Sequence, residues 1–106
     1  MDRKLTEKTA LITGANRGLG RALATSLAQA GAEIILVARN GEALASVQAE
    51  ITGAGGRASH HVADVSNAAA VENLKETVFA DHEVVDILIN NAGINNRKHL
   101  VDFPLD

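Results

Sequence analysis

A chain of 106 residues, 46% hydrophobic and 22% charged, has the size and composition of one ordinary globular domain, which excludes a disordered or fibrous polymer. A net charge of −3 offers no basic footprint for nucleic acid or an anionic membrane, so an anionic ligand would have to be held by a local arrangement of donors. With no cysteine there is neither a disulfide nor a thiolate metal site, and without a signal peptide or an apolar run near the roughly 18 residues that span a bilayer, a cytoplasmic chain off the membrane is expected.

Short apolar runs then alternate with segments of helical period, without internal repeats. Thr9 to Thr13 reads as a first strand. Leu19, Leu23 and Leu27 recur every four residues, and Gly31 stops the helix they mark. From Glu33, the run Ile34-Ile35-Leu36-Val37-Ala38 is apolar on both faces, as a central parallel strand buried by helices should be. Leu44, Val47 and Ile51 mark a second helix, ended by Gly53-Ala54-Gly55-Gly56. His61-Val62-Ala63 is a weak third strand. Ser66 is placed to cap a third helix carrying Val71, Leu74 and Val78, and Val85 to Ile89 supplies a fourth strand that ends at Asn90.

Strands alternating with helices predict a parallel sheet with right-handed crossovers. The expected fold is α/β, a Rossmann-like doubly wound sheet of strand order 3-2-1-4, with residues 1–106 forming a single domain truncated after the fourth strand. Ligands settle in such sheets at the carboxyl ends of the strands, where the strand order reverses. Here that crevice lies between strands one and four. The glycine-bearing turns at 13–20 and 90–93 flank it from opposite ends of the sequence.

The first of these turns, Thr13-Gly14-Ala15-Asn16-Arg17-Gly18-Leu19-Gly20, joins a strand to a helix whose unpaired amides and positive dipole end suit a pyrophosphate. Gly14 would permit the turn, Gly18 the approach of phosphate to backbone, and Gly20 close packing of the helix on the sheet. The spacing Gly-x-x-x-Gly-x-Gly differs from G-x-G-x-x-G, and the lysine and Ser/Thr of a P-loop are missing, which disfavours ATP hydrolysis. Plain turn glycines are the competing reading, disfavoured by their place directly after a strand.

These residues resemble the short-chain dehydrogenases/reductases, whose nucleotide loop follows T-G-x-x-x-G-x-G. Asp64-Val65 and Asn90-Asn91-Ala92-Gly93 follow at the distances that family shows. The resemblance implies that the Asp64 carboxylate accepts a hydrogen bond from the adenine amino group and that Val65 gives backbone contact to the ring. It also implies that Asn90, Asn91, Ala92 and Gly93 brace the loop and touch the cofactor ribose. A helix-capping carboxylate is the alternative for Asp64.

Beyond the second strand, where NAD-binding proteins place an acid for the ribose 2′-hydroxyl, stands Ala38-Arg39-Asn40. Arg39, with Arg17 from the glycine loop, could meet a 2′-phosphate, so NADP is the expected cofactor, favoured by roughly 100-fold or more if both arginines engage it. The alternative is two solvated surface arginines. In this family hydride transfer depends on a tyrosine with a lysine four residues on, helped by a serine and an asparagine, all downstream of the fourth strand. The sequence has no tyrosine. The resemblance thus implies the NADP(H)-binding part of an oxidoreductase that reduces a carbonyl or oxidises a secondary alcohol, such as a 3-oxoacyl or sugar-type substrate. The competing reading is a non-catalytic nucleotide-binding or interaction module. An acidic residue expected at the end of strand two in a methyltransferase is absent.

His60 and His61 are adjacent on a strand and face opposite sides, while His82 and His99 lack ligand-spaced partners, so no metal site is expected. Ile94 to Leu100 would line the rim of a substrate pocket, and Asp102 to Asp106 would begin a further helix. An apolar fourth strand left at the sheet's edge invites a homo-oligomer through that strand.

Overall fold

The computed structural model describes residues 4–91. Along them run β1 (Thr9–Thr13), α1 (Gly18–Gln29), β2 (Glu33–Ala38), α2 (Gly41–Gly53), β3 (Arg57–Val62), α3 (Ala68–Asp81) and β4 (Ile87–Asn90). Among the described residues the strands form one parallel sheet in the order β3-β2-β1-β4, as the alternation of elements predicts. The family-typical residues Ala92 and Gly93, the rim at Ile94 to Leu100 and the helix start at Asp102 lie outside the described residues.

Side-chain alternation along the two central strands divides the core in two. Ala10, Ile12, Ile34 and Leu36 pack against Ala24 and Ala28 of α1 and Leu44, Val47 and Ile51 of α2. Leu11, Ile35 and Val37 point the other way, onto Val71, Leu74 and Val78 of α3. Both faces of the sheet are therefore covered, which is why β2 reads as an unbroken apolar run. Each fully buried Leu, Ile or Val adds roughly 1.5–3 kcal/mol to the transfer free energy that drives this packing.

Four local expectations are corrected. The buried stripe of α1 is Gly20, Ala24 and Ala28, not Leu19, Leu23 and Leu27. Leu19 is 65% exposed, whereas Leu27 is partly buried against the core. The helix lies so close to the glycine turn that only small side chains fit beneath it. Strand β3 begins at Arg57 and ends at Val62, pairing with β2 from Glu33↔Arg57 to Ala38↔Val62. An edge strand tolerates the polar Ser59, His60 and His61 that hide it from an apolar count.

Strand β4 begins at Ile87 because the residue before it pairs through its side chain. The Asp86 carboxylate accepts the Thr9 amide at 2.8 Å, and the Asp86 amide donates to the Thr9 carbonyl at 2.9 Å. Finally, α3 is capped by Asn67, whose side chain accepts from the Ala70 amide at 2.9 Å; Ser66 is engaged elsewhere.

Candidate functional site

The carboxyl ends of β1 and β2 and the segment after β3 enclose a cavity of about 390 Å³. Three stretches far apart in sequence line it: Thr13, Gly14, Asn16 and Arg17 of the turn, Val37 to Asn40, and Ala63 to Ser66. Of the residues expected to bind a cofactor, the cavity gathers Thr13, Gly14, Asn16, Arg17, Arg39, Asn40, Asp64 and Val65. Gly18, Leu19, Gly20, Asn90 and Asn91 are not on its wall but adjoin or support it.

The turn owes its path to its glycines. Gly14 and Gly18 sit at φ of 63° and 57°, left-handed conformations that strain other residues. A Cβ on Gly18 would meet nothing within 4 Å, so the backbone there is open to an approaching group. At Gly20 the reason is contact: a Cβ would stand 2.2 Å from the Gly14 carbonyl oxygen and 2.7 Å from Asn91 Nδ2. The closeness is thus to the turn and the end of β4, rather than to the body of the sheet.

Register explains the bracing of the turn. Thr13 and Asn90 are partners across β1 and β4. The Thr13 hydroxyl donates to Asn90 Oδ1 at 3.1 Å and accepts from the Asn91 amide at 2.9 Å. Asn91 Nδ2 donates to the Gly14 carbonyl at 3.4 Å. On the other side, the buried Ala15 sends its amide to the Val37 carbonyl at 3.3 Å. The turn is consequently clamped between β4 and β2, and its geometry is set before any ligand arrives.

Helix capping singles out α1. The N-termini of α2 and α3 are closed by Asn40, which accepts from the Ala43 amide at 3.1 Å, and by Asn67. The N-cap of α1 is Arg17, which makes no side-chain cap, and the first turn carries no acid. Its leading amides and the positive end of its dipole remain available to an anion beside the cavity. The Asn40 side chain, by contrast, is occupied by its own helix.

Two exposed guanidinium groups, Arg17 and Arg39, face the same space. Neither has an ion-pair partner among the described residues, whereas Arg21 pairs with Glu50 and Arg57 with Glu33. The third side is acidic. Ser66 donates to Asp64 Oδ1 twice, from its hydroxyl at 2.5 Å and its amide at 3.0 Å. Those bonds, the hydroxyl's first and then the amide's, hold the Asp64 carboxyl below its usual range, and the charge of Arg39 acts in the same direction. Ser66 thus serves Asp64 and not the N-terminus of α3. The signal was available in the Asp-x-Ser spacing, which favours a side-chain turn onto the following amide.

His60 Nδ1 meets Gln48 of α2, and both His60 and His61 line a groove beside α3. His61 is held below its ordinary value, chiefly by burial and then by the neighbouring His82. Among the described residues no group of His, Asp and Glu is placed to hold a metal ion, and no helix is long and apolar enough to cross a membrane.

A sequence profile of the short chain dehydrogenases matches residues 8–106. The chain belongs to the short-chain dehydrogenase family. Gluconate 5-dehydrogenase of Gluconobacter oxydans is 44% identical over 99 residues, covering 93% of this chain and 39% of that protein. The 3-oxoacyl-[acyl-carrier-protein] reductase of Synechocystis sp. is 39% identical over 103 residues, 96% of this chain and 42% of the other. A metagenomic short-chain oxidoreductase, solved in complex with NADP, superposes with a TM-score of 0.83 at 42% identity, covering 86% of this chain and 41% of that one. This short-chain dehydrogenase sequence therefore spans less than half the length of these relatives.

Proposed function

We propose that the chain binds NADP(H) in the cavity at the ends of β1 and β2, as the cofactor-binding part of an oxidoreductase that interconverts a carbonyl and a secondary alcohol. The observation that carries this reading is the convergence on one cavity of an uncapped helix N-terminus, two arginines that have no ion-pair partner among the described residues, and a turn whose glycines leave its backbone open. The pyrophosphate would lie against the first amides of α1, beside Gly18. The 2′-phosphate would lie between Arg17 and Arg39, where the end of β2 offers no carboxylate to repel it. The adenine would reach Asp64 and the backbone of Val65, and the ribose would approach Asn90.

A dinucleotide fits the donor set, since the uncapped N-terminus of α1 offers backbone amides and Arg17 and Arg39 offer guanidinium groups. When bound, the nicotinamide supplies or accepts the hydride. This chain's residues bind and orient the cofactor. The NADP-bound neighbour, the 3-oxoacyl reductase and the gluconate dehydrogenase support this class of cofactor and substrate. Edge pairing through β4 would make the assembly a homodimer or larger, which light scattering at high protein concentration reads directly.

Calorimetric titration tests the cofactor choice. NADP should bind about 10- to 100-fold more tightly than NAD, the range allowing for solvent screening of two exposed arginines. The double variant Arg17→Ala/Arg39→Ala should remove that preference while retaining NAD binding. An unchanged NADP/NAD ratio in the double variant would refute the assignment.

A further inference from the structure

The turn after β3 is anchored on one side and adjustable on the other. Val65 is buried in the α3 face of the core at 4% exposure, and the Asn67 amide donates to the Asp64 carbonyl at 3.0 Å. The backbone is thus fixed, and rotation of the Asp64 carboxylate is the remaining freedom. Ser66 restrains it, placing both of its donors on Oδ1. Asn67 already caps α3, so the Ser66 hydroxyl is not needed there. Asp64 Oδ2 accepts no hydrogen bond among the described residues, and both Asp64 and Ser66 line the cavity.

On the reading that this cavity holds a dinucleotide, we propose that Ser66 is a positioning residue that presents Asp64 as a fixed, acceptor-only group and so selects a base bearing an amino group over one bearing a keto oxygen. An exocyclic amine donates to Oδ2. A keto oxygen at the same place would face a carboxylate, acceptor against acceptor. It is tolerated only if Asp64 swings away or takes up a proton and becomes a donor. The two bonds from Ser66 oppose both escapes, since one fixes the rotamer and together they favour the ionised form. Arg39, which also lines the cavity, favours the ionised carboxylate as well.

The experiment compares NADP with its hypoxanthine analogue, which carries a keto oxygen in place of the adenine amine, by titration into the chain and into Ser66→Ala and Ser66→Thr. The parent chain should favour NADP by about tenfold or more, a ratio that Ser66→Ala should lower to about two- or threefold because the Ser66 amide bond survives. Ser66→Thr, which keeps the hydroxyl, should restore it. A general loosening of the fold would weaken both nucleotides alike and leave the ratio unmoved. If the parent chain discriminates but Ser66→Ala does so equally, Ser66 does not position Asp64 and the proposal is overturned while the dinucleotide reading stands. If the parent binds NADP without discriminating, Asp64 does not read the base and the proposal is again overturned. If it binds neither nucleotide, the dinucleotide reading fails and takes the proposal with it.

Discussion

Replacing Gly20 with alanine puts a methyl carbon 2.2 Å from the Gly14 carbonyl oxygen and 2.9 Å from its carbonyl carbon. Both are backbone atoms of a turn held by β2 and β4, so neither can yield cheaply. Alanine in a helix interior is otherwise favoured over glycine by about 1 kcal/mol. Forcing a methyl into a packed site costs about 1–3 kcal/mol, and displacing the Asn91 amide, 2.7 Å from the new methyl, adds to that. The net expectation is a loss of about 1–2 kcal/mol, read as a lower urea midpoint with an unchanged slope. Two companion substitutions set the scale. Gly53→Ala, at the end of α2 with nothing within 4 Å of its new methyl, should be neutral or stabilising. Gly18→Ala meets no atom either, but φ of 57° should make it destabilising by about 1–2 kcal/mol. A Gly20→Ala chain as stable as Gly53→Ala would refute the close approach of α1 to the turn.

Thr13→Val removes the hydroxyl that joins Asn90 to Asn91 and leaves the Asn91 amide without its acceptor, so a loss of about 1–3 kcal/mol is expected in urea unfolding, with weaker NADP binding as the turn loosens. Leu36→Ala opens a void in the face shared with α1 and α2, where Leu36 is fully buried, and should cost about 2–5 kcal/mol; a smaller loss by thermal or urea unfolding would mean that the site collapses. For His61, burial lowers the folded value below 6.5, so the unfolded chain takes up the proton first. Its contribution is complete above pH 6.5 and declines as pH falls from there through the lowered folded value, with His60, His82 and Asp81 as the charged or titratable neighbours. His61→Gln should therefore flatten the drop of the urea midpoint below pH 6.5, and parallel curves for parent and variant would contradict this.

Much of the fold is legible in residue order. The double-faced run Ile34 to Val37 could only be a strand covered on both sides, and its alternation with helical segments leaves few topologies. The helix α1 is harder, because a leucine every four residues imitates a core stripe, whereas contact with a clamped turn demands the small residues Gly20, Ala24 and Ala28. Nothing in hydrophobic periodicity distinguishes a helix that packs by filling space from one that packs by leaving it. Strand β3 is under-read for the opposite reason: at an edge, backbone pairing with β2 suffices, and Ser59, His60 and His61 carry little apolar signal.

At the candidate site, Gly14, Arg17, Arg39 and Asp64 stand out in the sequence by their types, and the structure gathers them on one cavity. The roles of Ser66 and Asn67 are not readable from the sequence, since either can cap a helix. The choice is made by Asp64, which engages Ser66 and leaves the cap to its neighbour. Similarly, Asn90 and Asn91 stand out in sequence, but only the Thr13↔Asn90 register shows that a single hydroxyl links them to the turn.

The most direct measurement is an amide NMR titration of the chain with NADP. Saturable shifts are expected at Gly14, Arg17, Gly18, Arg39 and Val65, with little change at Ala70, Asn73 and Thr77 beside α3. Shifts centred on that second groove, or none at millimolar NADP, would contradict the assignment of the glycine turn as a nucleotide site.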